Sequence, residues 1–224
     1  MGTHAIPLRN RAAHPVRVRI DASTDERNRL TTAFRFLLAL PHVLLVGTPI
    51  AAVMTWSRTS EAETSYSWTA GAGALGAVAV VAAIIAWCAI VFTGAAPDGL
   101  TALAAFYLRW RVRASAYVAL LRDEYPPFGD AEYPASVELP SIVGPRDRLT
   151  VAFRPILAIP HLLAIWAIGF AWAMTTTIAW FAILFTGRYP RPLYDFAVGA
   201  LRWTTRVEAY LLLLTDEYPP FSLH

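Results

Sequence analysis

The sequence predicts an all-α integral membrane protein made of two tandem repeats. Composition, an internal duplication and the length of the apolar runs carry that prediction. Hydrophobic residues make up 56% of the 224-residue chain and charged residues 16%, with a mean hydropathy of +0.44. Soluble domains carry about 25% charged residues, so the composition argues against an ordinary water-soluble enzyme and excludes disorder and a disulfide scaffold. All 19 basic residues are arginines. A net charge of +3 and a pI near 9.2 are too mild for a nucleic-acid partner.

The chain is written twice. Arg29-Leu30-Thr31, Ala33-Phe34-Arg35 and Pro41-His42 recur 119 positions later as Arg148-Leu149-Thr150, Ala152-Phe153-Arg154 and Pro160-His161. Further on the offset is 93. Trp87 with Phe92-Thr93-Gly94 matches Trp180 with Phe185-Thr186-Gly187, and Arg109-Trp110, Arg113 and Tyr117 match Arg202-Trp203, Arg206 and Tyr210. Both copies close on Asp-Glu-Tyr-Pro-Pro-Phe, at 123–128 and 216–221. The first copy therefore carries 119 − 93 = 26 extra residues between His42 and Trp87.

Residues 1–13 form an N-terminal tail, 14–128 the first repeat and 133–221 the second. The tail region has no 7–15-residue apolar core and does not read as a signal peptide. Residues 15–21 alternate apolar and charged with period two, a strand signal, and 135–139 do so more weakly. The two segments are expected to pair. Runs 34–56 and 68–93 each exceed the roughly 20 residues needed to cross hydrocarbon. With the polar stretch 57–67 between them they predict a transmembrane hairpin.

The second copy has 33 uncharged residues, 155–187. One crossing would place Arg188, Arg191, Arg202 and Arg206 opposite Arg146, Arg148 and Arg154; a hairpin over about 149–187 keeps all of them on one side. Four crossings with both termini cytoplasmic follow. Segments 100–121 and 193–214 carry mid-segment arginines, and a charge at a helix centre costs about 2.5–3.5 kcal/mol. Both are predicted as amphipathic interfacial helices, anchored by Trp110, Tyr117, Trp203 and Tyr210 with snorkelling arginines.

These blocks resemble the bacterial membrane-protein family of domain of unknown function 4389, over about 14–128 and 133–221. The resemblance implies a multi-pass protein of the bacterial cytoplasmic (inner) membrane and brings no assigned activity or catalytic residue.

Two groups of residues are candidate sites. His42 and His161 follow prolines inside apolar segments, each seven residues after Arg35 or Arg154 and so on the same helix face. Ionisable groups at membrane depth are functional candidates; against this stands a structural histidine bonding a carbonyl freed by the proline. Arg35, Arg109, Arg113, Arg154, Arg202 and Arg206 are candidate lipid or phosphate ligands, since guanidinium forks suit phosphate. Their plainer reading is internal pairing, the quartet on the interfacial segments with Asp123, Glu124, Asp216 and Glu217. No nucleophile elbow, phosphate loop or metal-ligand spacing occurs, and Cys88 lies in an apolar run.

The expected function is a non-enzymatic accessory, assembly or anionic-lipid-binding component without a metal or cofactor. Its partners would be membrane lipids and a membrane protein or a second copy. The alternatives are a small transporter with a pseudo-symmetric pathway past His42 and His161, and a carrier of haem b held between those histidines.

Overall fold

Each repeat begins with a strand, and the two strands find each other. In the computed structural model, which describes residues 14–21, 27–48, 64–142 and 144–223 (the backbone alone at 64–70), β1 (Arg17–Ile20) pairs antiparallel with β2 (Ala135–Glu138). Val18 opposes Val137 on the buried side, and Arg17 opposes Glu138. The expected pairing is present.

After β1 come α1 (Arg29–Ala33) and α2 (Arg35–Val46). Asn28 caps α1, its side-chain oxygen accepting from the Leu30 and Thr31 amides at 3.0 and 3.1 Å. Next are α3 (Thr64–Thr93), whose helical backbone is broken at Gly73, and α4 (Asp98–Val118). The second repeat has only α5 (Arg148–Thr186), capped by Asp147, and α6 (Arg191–Leu211). The long helices end alike, at Gly94 and Gly187 in the left-handed region.

The hairpin expected over 149–187 is absent: α5 is one continuous 39-residue helix. Its buried residues, among them Val151, Arg154, Ala158, His161, Gly169, Trp172, Thr176, Ala179 and Ile183, recur at helical spacing along its whole length. The stripe passes through Gly169 with no break in the helix. The hairpin expected in the first repeat is also replaced. Its residues 49–63 lie outside the described residues, but its two flanks are not side by side.

Helix α4 acts as a ruler. Going along it from Asp98, Tyr107 meets Gly76 and donates to the Ala72 carbonyl, Arg111 bonds the Gly71 and Val46 carbonyls, Trp110 meets His42, and Tyr117 meets Arg35. Thus α2 and the 74–93 part of α3 lie end to end along one straight helix. Together they form the counterpart of α5, since Val46 corresponds to Ile165 and Gly73 to Trp166 under the two repeat offsets. The 26 extra residues, 47–72, leave and rejoin this composite helix at a single point. Only glycine permits that junction. A Cβ on Gly73, at φ +73°, would lie 2.5 Å from the Leu45 carbonyl carbon.

The repeats are related by a pseudo-twofold. The Trp87 indole donates to the Val151 carbonyl and Trp180 to Thr32, both at 2.8 Å; the Arg146 amide bonds Gly94 and the Arg27 amide bonds Gly187. The start of each long helix thus lies beside the end of the other. The two run antiparallel.

Helices α4 and α6 lie beneath them as a middle layer and the β-ribbon forms a third. Val16, Val18 and Val137 pack with Leu108, Val112, Ala209 and Leu212. The segments expected at the membrane interface are therefore core elements. Trp110, Tyr117, Trp203 and Tyr210, expected as interfacial anchors, are buried. The reason is that the apolar long helices cover α4 and α6, which then have no free face to offer a membrane there.

Candidate functional site

Each repeat folds its Asp-Glu-Tyr-Pro-Pro-Phe tail back across the first part of its long helix. The turn that starts the return is held by Leu120 and Leu213, both buried at φ +62°, with the next amide bonding five residues back (Leu121 to Ala116, Leu214 to Ala209). Arg35 donates to the Arg122 carbonyl at 2.8 Å and to Asp123 at 2.5 Å, its guanidinium 4.1 Å over the Tyr117 ring. Arg154 donates to the Tyr210 and Thr215 carbonyls and to Asp216 at 2.7 Å, 4.3 Å over Tyr210. Arg27 and Arg146 add a second guanidinium to Asp123 and Asp216. Burial alone would raise the Asp216 carboxyl, but Arg146 and Arg154 hold it below the usual range. Arg35 and Arg154 are enclosed, their terminal nitrogens taken by these carbonyls and carboxylates and each Nε buried without a partner among the described residues, so neither is open to a lipid phosphate. Asp123 and Asp216 serve them rather than the quartet that sequence assigned to these acids.

The histidines are enclosed by the same tails. His42 stacks on Phe128 at 4.5 Å, touches Tyr125 and accepts from the Trp110 indole at 3.0 Å. His161 stacks on Phe221 at 4.1 Å beside Tyr218 and Trp203. Each imidazole is shut inside the rings of its own repeat, and both are fully buried. The two are not brought together. Among the described residues no group of three or more His, Cys, Asp or Glu side chains is placed to hold a metal ion.

Sequence reasoning passed over Arg111. Its Nε lies 2.9 Å from both Glu208 oxygens, and one terminal nitrogen donates to the Val46 and Gly71 carbonyls at 2.8 and 2.7 Å. These are carbonyls left over where the composite helix is interrupted. The second repeat has Thr204 at this place, because α5 is unbroken and has no such carbonyls to satisfy. Comparison of the two copies would have flagged it: an arginine present only in the copy with the insertion.

Of the remaining quartet, Arg109 and Arg113 both reach Asp130, and Arg113 also donates to the Gly129 carbonyl. Arg206 makes a 3.4 Å bond to the Ser222 carbonyl, and Arg202 has no partner among the described residues.

The outer surface is the other outstanding feature. Leu149, Phe153, Ile156, Ile159, Leu163, Trp166, Phe170, Met174, Ile178, Phe181 and Phe185 are exposed along α5, and Leu37, Leu40, Leu44, Val81, Ile84 and Phe92 along the composite helix. Helices 71–93 and 148–186 are long and apolar enough to cross a membrane.

A family model for a domain of unknown function (DUF4389) matches residues 71–129 and again 148–222, together more than half of the chain. The chain belongs to this family. The first match begins at the junction where the extra residues rejoin the composite helix, so the family pattern resumes where the interruption ends. No curated protein and no solved structure matches the chain.

Proposed function

We propose that this DUF4389 protein is a non-enzymatic membrane component whose two long helices lie in the plane of one membrane face, with their exposed apolar sides in the lipid. The observation that carries the reading is the length of the apolar stripe. From Leu149 to Phe185 it runs about 54 Å at 1.5 Å per residue, against about 30 Å of hydrocarbon. Upright crossing would require a tilt of about 56°, beyond the usual limit of about 40°.

Charge placement supports the same orientation. Arg109 and Asp130 are partly exposed beside the middle of the composite helix, where an upright orientation would set them in hydrocarbon. Lying flat, the apolar layer faces lipid while α4, α6 and the ribbon stay on the aqueous side. Two helices about 54 Å long and about 10 Å wide present on the order of 1,000 Å², more than the 300–600 Å² of the largest patch on a typical soluble monomer. The activity that fits is an accessory or lipid-binding one, since the buried charges satisfy one another.

Labelling decides between orientations. Ala95 and Arg188 occupy equivalent exposed positions at opposite ends of the plate. In a Cys88→Ala background, single cysteines at these two positions should react with a membrane-impermeant maleimide from the same side of sealed vesicles. Reaction of one from outside and the other only from inside would overturn the in-plane reading in favour of crossings.

A further inference from the structure

We propose that Arg202 and Arg206 form a binding site for a phosphate-bearing anion at the edge of the apolar face, with an anionic phospholipid headgroup as its natural occupant. The site rests on a difference between two copies of one scaffold. Arg109 and Arg202 are equivalent, as are Arg113 and Arg206, and in both copies the second arginine of the pair bonds the backbone just after the Pro-Pro-Phe tail: Arg113 to Gly129, Arg206 to Ser222. The next residue differs. In the first copy it is Asp130, whose two carboxylate oxygens take Arg109 and Arg113. In the second it is Leu223, which packs on Gly199.

The second pair therefore occupies the positions that take a two-oxygen anion in the first, and among the described residues no carboxylate bonds it. Two arginines one helical turn apart repel each other unless something negative lies between them, and planar forks bind phosphate oxygens in pairs. Burial and the neighbouring Arg202 both push the Arg206 guanidinium below its ordinary value, the signature of an uncompensated pair. Nearby, His14 is nine-tenths buried with Nε2 unpartnered among the described residues, close enough to feel the charges of both Glu217 and Arg206.

Position selects the phospholipid. Tyr218 and Phe221 of the same tail are exposed, Phe221 stacking on His161 of the long helix and Tyr218 packing against it at a tilt, so Arg206 sits where the apolar face ends. A headgroup phosphate would meet the arginines while its acyl chains lie along those rings. The occupant rests on the in-plane reading; the anion site does not.

The test counts lipids on the detergent-extracted protein by native mass spectrometry after exchange into phosphatidylglycerol or phosphatidylcholine. Wild type should retain one phosphatidylglycerol in preference to phosphatidylcholine, and Arg202→Gln with Arg206→Gln should lower that preference by about tenfold. Leu223→Asp removes no arginine and should close the site equally. Asp130→Leu should open a second one and raise the stoichiometry to two. An unchanged preference in both the arginine double variant and Leu223→Asp overturns the proposal, because no folding defect produces it.

Calorimetry with glycerol 1-phosphate and with inorganic phosphate separates the sources. Binding of glycerol phosphate in wild type and not in the variants supports a headgroup site even where the labelling pattern has refuted the in-plane orientation. Equal binding of inorganic phosphate with no lipid preference refutes the phospholipid as occupant.

Discussion

Replacing Arg111 with leucine should remove the clasp that lets a helix be interrupted. The side chain is 8% exposed and serves three partners: the Glu208 carboxylate and the carbonyls of Val46 and Gly71. Stranding a buried carboxylate costs about 3–5 kcal/mol, and Glu208, at 21% side-chain exposure, belongs at the lower end. Two buried carbonyls left unbonded add about 1 kcal/mol each at the low end of their range. The expected loss for Arg111→Leu is about 5 kcal/mol. Arg111→Thr with Glu208→Ser imports the side chains found at the equivalent positions, Thr204 and Ser115. It strands no charge and should cost only about 2 kcal/mol, the two carbonyls. The double variant should therefore be about 3 kcal/mol more stable than Arg111→Leu. Unfolding in mild detergent, followed by tryptophan fluorescence from the 8 tryptophans, provides the measurement. A double variant as unstable as Arg111→Leu, or a loss below about 1 kcal/mol for the single change, would refute the clasp.

Two further outcomes follow from the latch and the junction. The Asp216 carboxyl is held below its unfolded value by Arg146 and Arg154, so in that window the unfolded chain binds more protons and stability rises with pH. The second latch should therefore hold above the ordinary aspartate value of about 4 and weaken as pH falls through the lower folded value. Asp216→Asn should flatten this limb of an acid-unfolding curve, and a curve unchanged in that variant would count against the latch. Gly73→Ala places a methyl against the Leu45 carbonyl in a backbone region that disfavours side chains. It should cost at least 2 kcal/mol in the same assay, whereas Ala95→Gly, on an exposed loop, should be neutral within about 0.5 kcal/mol.

The sequence by itself determined the duplication, the pairing of the two strands and the five apolar segments that become the outer and middle layers. Those features are written in short-range periodicity and in self-similarity, neither of which needs a partner to be read. It also picked out six candidate arginines, Arg202 and Arg206 among them, that it had no means to rank. Only the tertiary structure ranked them. Asp123 and Asp216 are spent on Arg27, Arg35, Arg146 and Arg154, contacts about 60–100 residues apart along the chain, and Asp130 takes Arg109 and Arg113, so that among the described residues the second pair is left without a carboxylate. Nor was the end-to-end joining of α2 and α3 legible. An apolar run, a polar loop and a second apolar run look the same whether the runs fold side by side or stack coaxially. Burial on one face of α4, a helix 50 residues further on, made the choice. The same long-range packing turned Trp110 and Trp203 from interfacial anchors into core residues, because amphipathicity tells which side of a helix is covered but not what covers it.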